Sequence, residues 1–319
     1  MSTLITGGAG FIGSYLTKLL IEAGERPVIF DIAPARGPLL NFSGQFVFER
    51  GSLVHLPVLI DCIEKHSIDR IFHLGGMLSL PSEDNPWAAF DVNVIGTRNV
   101  LDAAMIKKIS QVIYGSTIAT YSKDIRGDAI DDLTIQRPSS FYGVTKTFGE
   151  LLGRFYWRKY GLDFRGLRLP SIVGPGATTP HMSIYNAWAI EFALKGLPFV
   201  LRCDPETRCP VLYFKDAARA FLALSAADAE KIQTRIYNVA GITPPFSARE
   251  LVDAIGRQIP GASLTFDPDP EIVALLRELG ALKIMDDPAR TEWGMQIDCS
   301  LDAMIEDFIL EFEKHRTYP

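Results

Sequence analysis

The sequence predicts an α/β fold, a doubly wound parallel sheet with helices on both faces and a smaller C-terminal lobe. Three observations lead there. Short apolar runs alternate with amphipathic ones through the first half of the chain. Those runs are almost continuously apolar, as parallel strands covered on both faces are. The first of them leads through Gly7-Gly8-Ala9-Gly10 straight into a helical pattern, a strand–turn–helix opening.

Leu4-Ile5 reads as the first strand and Phe11 to Ala23 as the first helix. Pro27 to Asp31 and Gln45 to Glu49 are the next two strands. Leu56 to His66 is a helix and Ile71 to Leu74 a strand. Ala88 to Met105 reads as one long helix, Gln111 to Tyr114 as a strand, Tyr142 to Tyr160 as a helix and Phe164 to Leu169 as a strand. After Pro170 the texture changes. Gly174 to Pro180 is a loop by composition, Ser183 to Lys195 a helix and Asp204 to Pro210 a polar stretch. Asp216 is read as the cap of a helix running to about Ala226. Ile236 to Ala240 is one more strand, Phe246 to Glu250 opens another helix, and the rest of the tail is mixed. No internal repeat or low-complexity tract interrupts the pattern. The expected division is a sheet domain over residues 1–169, with segments near 211–240 returning to it, and a lobe made mainly of residues 170–319.

With 319 residues, 47% of them hydrophobic and 22% charged, the chain is long enough for a large core. A formal charge of −6 offers no basic footprint for nucleic acid. No charged segment precedes a hydrophobic stretch after Met1, no apolar run reaches the length of a membrane span, and no Arg-rich transit segment is present. A cytoplasmic location without membrane contact is expected. Cys62, Cys203, Cys209 and Cys299 are scattered with no C-x-x-C pair, and the five histidines form no H-x-x-x-H cluster. Thiols in a reducing compartment and no metal site are therefore expected.

The glycine turn fits a pyrophosphate, because glycines let the backbone approach phosphate closely and the helix N-terminus favours an anion. Asp31 ends the second strand, eighteen residues after Gly13. A carboxylate there can hold the ribose hydroxyls and repel a 2′-phosphate, which favours NAD over NADP. The competing reading is a loop aspartate capping a turn, and Arg36 lies close enough to bear on the choice. Tyr142 and Lys146 stand at i and i+4 and share one helix face. A phenol titrates near ~10, so bringing it to about 7 requires roughly 4 kcal/mol of differential stabilisation, which a neighbouring ammonium and a cationic nicotinamide ring favour. Tyr142 would then take the proton of a substrate hydroxyl as hydride leaves for the nicotinamide. Alone, so short a motif also fits an ordinary helix with a buried Tyr and an exposed Lys. Thr117 follows the strand ending at Tyr114, at the end where open α/β sheets bind ligands, and can orient the substrate oxygen; it also fits a plain turn at a strand end.

Taken together, Thr6-Gly7-Gly8-Ala9-Gly10-Phe11-Ile12-Gly13, Asp31, Phe72-His73-Leu74-Gly75-Gly76, Asp91 to Thr97, Ser116-Thr117 and Tyr142-Gly143-Val144-Thr145-Lys146 resemble the extended short-chain dehydrogenase/reductases, the NAD-dependent epimerase/dehydratase family. The resemblance covers nearly the whole chain. It implies a Rossmann domain with NAD held by Gly7, Gly10, Phe11, Ile12, Gly13, Asp31, Ser52, Leu53, Leu74, Gly75, Gly76, Asn93, Tyr142 and Lys146. It implies a catalytic triad of Thr117, Tyr142 and Lys146, support of the site by Asn93, contact of Lys146 with the nicotinamide ribose, and a homodimer through two helices per subunit. Ser52 departs from the Asp that often contacts the adenine edge, and a serine can still hydrogen-bond there.

Nucleotide-sugar enzymes of the family commonly carry an Asn soon after the sixth strand, and Arg168 to Val173 contains none. That run, with His73 to Ser79, Arg137 to Lys146, Glu150 to Gly161, Gly174 to Thr179 and Asp204 to Pro210, resembles the NAD-dependent L-threonine 3-dehydrogenase branch. By that resemblance Ser79, Thr117, Tyr142 and Thr179 bind the substrate, and the C-terminal lobe is the substrate-binding one. Pro180 stands where the branch has Asp, and Leu276 to Asp287 replaces its Trp–Pro segment, although Ala289 to Gly294 remains. Arg208 is placed among the substrate-binding residues as a clamp for a carboxylate or phosphate; a salt bridge to Asp204 or Glu206 weighs equally. His181 is read either as a lid residue or as merely exposed. The expected activity is NAD-dependent oxidation of a secondary hydroxyl on a small polar substrate, L-threonine or a related hydroxy acid. The alternative is a nucleotide-sugar epimerase or dehydratase, and a non-enzymatic dinucleotide sensor is disfavoured because the Tyr/Lys pair is intact.

Overall fold

The computed structural model describes residues 2–35, 37–121, 124–125, 127–179, 181, 183–280 and 283–315. In chain order the first half reads β1 (Thr3–Thr6), α1 (Phe11–Glu22), β2 (Val28–Asp31), β3 (Val47–Arg50), α2 (Leu56–Lys65), β4 (Arg70–His73), α3 (Ser79–Asp84), α4 (Pro86–Ala89), α5 (Gly96–Ile106), β5 (Gln111–Thr117), β6 (Ala129–Ile130), α6 (Phe141–Tyr160) and β7 (Asp163–Leu169). The second reads β8 (Ser171–Val173), α7 (Tyr185–Leu194), β9 (Phe199–Leu201), β10 (Val211–Tyr213), α8 (Phe214–Ala226), β11 (Ile236–Asn238), α9 (Ala248–Gln258), β12 (Leu264–Phe266), α10 (Pro270–Gly280), β13 (Lys283–Ile284), α11 (Asp287–Trp293) and α12 (Leu301–His315).

Seven strands pair in parallel in the order β11-β7-β5-β4-β1-β2-β3. Their continuous apolar character follows from covering both faces. Leu4 and Ile5 are neighbours in β1 yet enter different cores. Leu4 packs with Leu59 of α2, Val100 of α5 and Tyr156 of α6, and Ile5 with Leu16 and Leu20 of α1, Phe221 of α8 and Ala289 of α11. Each such buried aliphatic side chain stabilises the fold by roughly 1.5–3 kcal/mol. A third core joins Ile190 of α7, Leu251 and Ile255 of α9, Leu276 of α10 and Phe308 of α12 into the C-terminal lobe, beside the short pairs β8–β10 and β9–β12. The chain lays β1, β2 and β3 outward in one direction and resumes with β4 on the other side of β1. The strand order therefore reverses between β1 and β4, which is where open α/β sheets form a ligand crevice.

Two expectations are corrected. Residues 88–105 are not one regular helix, because Phe90–Ile95 form a π-type turn between α4 and α5. Asp216 is not a helix cap. The chain passes directly from β10 into α8 with Tyr213 at the cap position, and Asp216 sits in the first turn, accepting from Arg219 at 2.8 Å. The run Leu276 to Asp287, part of the tail read as mixed, includes the end of α10 and β13, and β13 pairs with β6. At the outer edge of the sheet, Asn238 N donates to Asp132 Oδ1 at 2.5 Å and Ala240 N to Asp286 Oδ2 at 3.2 Å. Arg36 and Pro180 lie outside the described residues. Among the described residues no helix is long and apolar enough to cross a membrane, and no three metal-ligating side chains cluster.

Candidate active site

The candidate site begins at the turn after β1. Gly7 has φ +69°, a left-handed conformation, and a Cβ there would lie 2.6 Å from Gly75 N at the end of β4. The two strand ends thus meet backbone to backbone, as close approach to a phosphate requires. Gly10 precedes α1, no side chain caps that helix, and no acidic residue stands in its first turn. Its N-terminal N–H groups and dipole are left to an anion. Phe11 stacks on Phe214 at 5.6 Å, so its backbone rather than its ring faces the turn. At the end of β2, Asp31 Oδ2 accepts from Ala9 N at 3.1 Å and Oδ1 from Ala33 N at 3.0 Å, which fixes the carboxylate beside the glycine turn. Leu53 packs against Gly75, and Asn99 Nδ2 donates to Leu53 O at 2.9 Å, bringing the Ser52-Leu53 loop to the same wall. This set of residues fits a dinucleotide.

From Gly75 the wall runs on to the predicted catalytic pair. A Cβ on Gly76 would lie 2.9 Å from Asn93 Oδ1 and 3.6 Å from Lys146 Nζ. Tyr142 and Lys146 are 9% and 5% exposed, on the buried face of α6. Lys146 Nζ donates to Gly115 O at 2.8 Å and lies 4.8 Å from the Tyr114 ring centre and 5.8 Å from that of Tyr142. Thr117 ends β5 half-buried, its Oγ1 accepting from Ala119 N at 3.2 Å, and Gly143 in the first turn of α6 lies directly against Ala119. The end of β5 and the start of α6 are therefore one surface.

Burial pushes the Tyr142 phenol above its usual value, the opposite of what a base needs. Burial pushes the Lys146 ammonium down to about 8, opposed by Glu150. His73, between Thr6 Oγ1 at 2.7 Å and Thr97 Oγ1 at 3.0 Å, is pushed down to about 3 by burial and by Lys146, and is neutral.

Sequence reasoning named Asn93 as a support of the site but missed its partner Thr145 and Glu83. Asn93 sits in the π-type turn with its amide spent on protein atoms. Met77 N donates to its Oδ1 at 2.7 Å, and its Nδ2 donates to Met77 O at 3.0 Å and Thr145 Oγ1 at 3.1 Å. Thr145 Oγ1 donates to Tyr142 O at 2.7 Å, and Tyr142 N donates to Glu83 Oε1 at 3.2 Å. The local signal for Thr145 was its place beside Lys146; Glu83, which reaches α6 from α3, left none. Ser79 opens α3, and Thr179 is half-buried in the loop before α7. His181 is half-buried, with Nδ1 3.1 Å from Ser183 Oγ, rather than merely exposed.

Arg208 stands apart from the pair. It lines a groove of about 680 Å³ formed by Gly241 to Phe246, α9, Arg290 and Ile297 to Leu301, a groove that none of Thr117, Tyr142 or Lys146 lines. Its guanidinium donates to Pro245 O and to Glu250 Oε2 at 3.1 Å. Of the two readings weighed for Arg208, the structure shows an ion pair with Glu250, which the fold brings to it on α9, while Glu206 pairs with Arg249 at 3.2 Å.

Residues 3–240 match the sequence model of the NAD dependent epimerase/dehydratase family. The mitochondrial L-threonine 3-dehydrogenase of Bos taurus is 31% identical over 307 residues, 95% of this chain and 80% of the bovine one. A GalE-like L-threonine dehydrogenase from Cupriavidus necator, solved in its holo form, superposes with a TM-score of 0.87 at 27% identity, over 98% of this chain and 99% of that one. A monomeric L-threonine 3-dehydrogenase from a metagenome, in its apo form, gives a TM-score of 0.86 at 25% identity, over 98% and 99% of the two chains.

Proposed function

The chain belongs to the NAD dependent epimerase/dehydratase family and is an NAD-dependent enzyme, and from that premise we propose that it oxidises the secondary hydroxyl of L-threonine or a related small hydroxy acid. What carries this reading is the unbroken wall from the glycine turn through Gly75 and Gly76 to Lys146 and Tyr142, together with the similarity to threonine dehydrogenases. Gly7, Gly10, Phe11, Ile12 and Gly13 would hold the pyrophosphate of NAD, Asp31 the adenosine ribose, Ser52 and Leu53 the adenine, and Leu74 to Gly76 with Lys146 the nicotinamide half. When bound, NAD supplies the hydride acceptor and a positive charge.

The chain's own groups do the rest. Thr117 Oγ1 hydrogen-bonds the substrate hydroxyl and turns it toward Tyr142. Tyr142 Oη takes the hydroxyl proton as the substrate carbon gives up hydride and becomes a carbonyl. Because burial raises the phenol, its function as a base depends on positive charge from Lys146 and the cofactor. Asn93 orients rather than reacts, tying Met77 to Thr145. Ser79 and Thr179 would grip the polar end of the substrate, with residues 170–319 supplying most of that side. Arg208, engaged by Glu250, belongs to this reading only if substrate displaces that contact. Four free cysteines suit the cytoplasm.

We further read the chain as a homodimer. Val144, Phe148, Leu151 and Phe155 are 48%, 40%, 60% and 47% exposed at i, i+4, i+7 and i+11 of α6, a continuous apolar stripe on its outer face.

The test is NADH formation by the purified chain with NAD and a panel of small hydroxy acids including L-threonine, run beside UDP-sugars. Absorbance rising with L-threonine, and falling about 10²–10⁴-fold in Tyr142→Phe, is the expected outcome. Silence with every hydroxy acid alongside interconversion of a UDP-sugar overturns it.

A further inference from the structure

α6 carries a second charged side chain on the face of Tyr142 and Lys146, one turn further on. Glu150 is 1% exposed. A carboxylate buried so deeply is costly unless paired, and this one is paired throughout. Ser116 Oγ donates to Oε1 at 2.5 Å, Gln136 Nε2 to Oε2 at 2.8 Å, and Arg168 donates from Nε at 3.0 and 3.1 Å and from Nη2 at 2.8 Å. Arg168, itself 4% exposed, donates on its far side to Tyr121 Oη at 2.7 Å and stands 3.8 Å from Asp132.

The neighbours of this cluster say what it is for. Ser116 immediately precedes Thr117, and Lys146 lies one helical turn before Glu150. The groups facing Lys146 are otherwise uncharged. They are the Gly115 carbonyl and the Tyr114 ring of β5, Tyr142 on α6 itself, Asn93 across Gly76, and neutral His73 of β4. Among the described residues Glu150 is the anionic group that bears on the amine.

We propose that Glu150, clamped by Arg168, is a positioning residue for the Tyr142–Lys146 pair: its carboxylate is the counter-charge of the Lys146 ammonium, and its bond to Ser116 fixes the end of β5 against α6. This rests on the proposed chemistry for its catalytic meaning, while the counter-charge itself exists without turnover. With Glu150 present, burial already brings Lys146 down to about 8. Without it, the amine loses its proton near neutral pH, and the positive charge that Tyr142 needs goes with it.

The experiment is a pH titration of the intact chain labelled with carbon-13 at the lysine ε-carbons, read by NMR with no substrate, Lys146 being assigned by its loss in Lys146→Met. In Glu150→Gln the Lys146 titration moves to lower pH, its proton affinity falling at least about tenfold, while Glu150→Asp stays near the parent. An unmoved titration in Glu150→Gln overturns the proposal, even if all variants melt earlier, because a merely structural role lowers melting alone. Glu150→Gln leaves Arg168 buried without its partner and risks the fold. Glu150→Gln/Arg168→Gln removes both charges and is expected to show a fall in the same direction, because Glu150 is the charged group that bears on Lys146; no fall there overturns the proposal as well. Since no substrate enters the titration, a failed hydroxy-acid assay leaves it readable, and an active enzyme with an unmoved Lys146 defeats this inference alone.

Discussion

Asp132 and Glu150 face the same guanidinium but differ in how fully their oxygens are hydrogen-bonded. Glu150 has every lone pair engaged, whereas Asp132 Oδ2 is buried with no partner among the described residues. Burial therefore pushes the Asp132 carboxyl up to about 6 despite Arg168. A carboxyl that titrates higher folded than unfolded, near ~3.9, binds its proton more tightly in the folded chain, so its contribution to stability falls as pH rises from about 4 through about 6. Asp132→Asn removes that titration while keeping an acceptor for Asn238 N. Denaturant unfolding of both chains across this range should find the variant gaining on the parent as pH rises, by up to about 3 kcal/mol above pH 6. A difference that does not depend on pH would contradict the assignment.

α6 inverts the usual amphipathic helix. Its buried face holds Tyr142, Thr145, Lys146, Gly149 and Glu150, and its outer face holds the apolar stripe. Hydrophobic periodicity marks such a helix correctly but assigns its faces the wrong way round. The π-type turn before α5 is a second element with a purpose. Its extra residue departs from the 3.6-residue period and lets Asn93 reach Met77 and Thr145 together. Asn93→Ala strips those bonds from partly buried groups and should cost about 1–3 kcal/mol in urea unfolding, with kcat falling more than the affinity for NAD. A variant of parental stability and kcat would refute this.

That turn also marks the limit of what the sequence made legible. The strands of the sheet were readable because each is a short apolar run between turn residues, and the glycine turn, Asp31, Tyr142 and Lys146 because each lies in a local motif. Asn93's partners Met77 and Thr145 lie 16 and 52 residues from it, Glu83 lies 59 from Tyr142 and Glu150 lies 18 from Arg168, and no local pattern records such pairings. β6 and β13, two residues each, meet only because the tail folds back over residues 129–130.

At the scale of the whole molecule, the stripe on α6 is the surface a second copy would cover, and Phe155→Glu tests that. Analytical ultracentrifugation should give twice the mass of one chain for the parent and a monomer, or a much weaker dimer, for the variant. A parent sedimenting as a single chain at every concentration removes the dimer from the proposal.

An open parallel sheet has two ends, and an end strand with free N–H groups is a template on which another chain can grow. β11 is the last strand on its side, and its outward Asn238 N–H is already held by the Asp132 carboxylate, with Asp286 doing the same just beyond at Ala240. An arriving strand would have to displace an anion at each point before it could pair. The two carboxylates that hold these N–H groups therefore guard the chain against edge-to-edge aggregation.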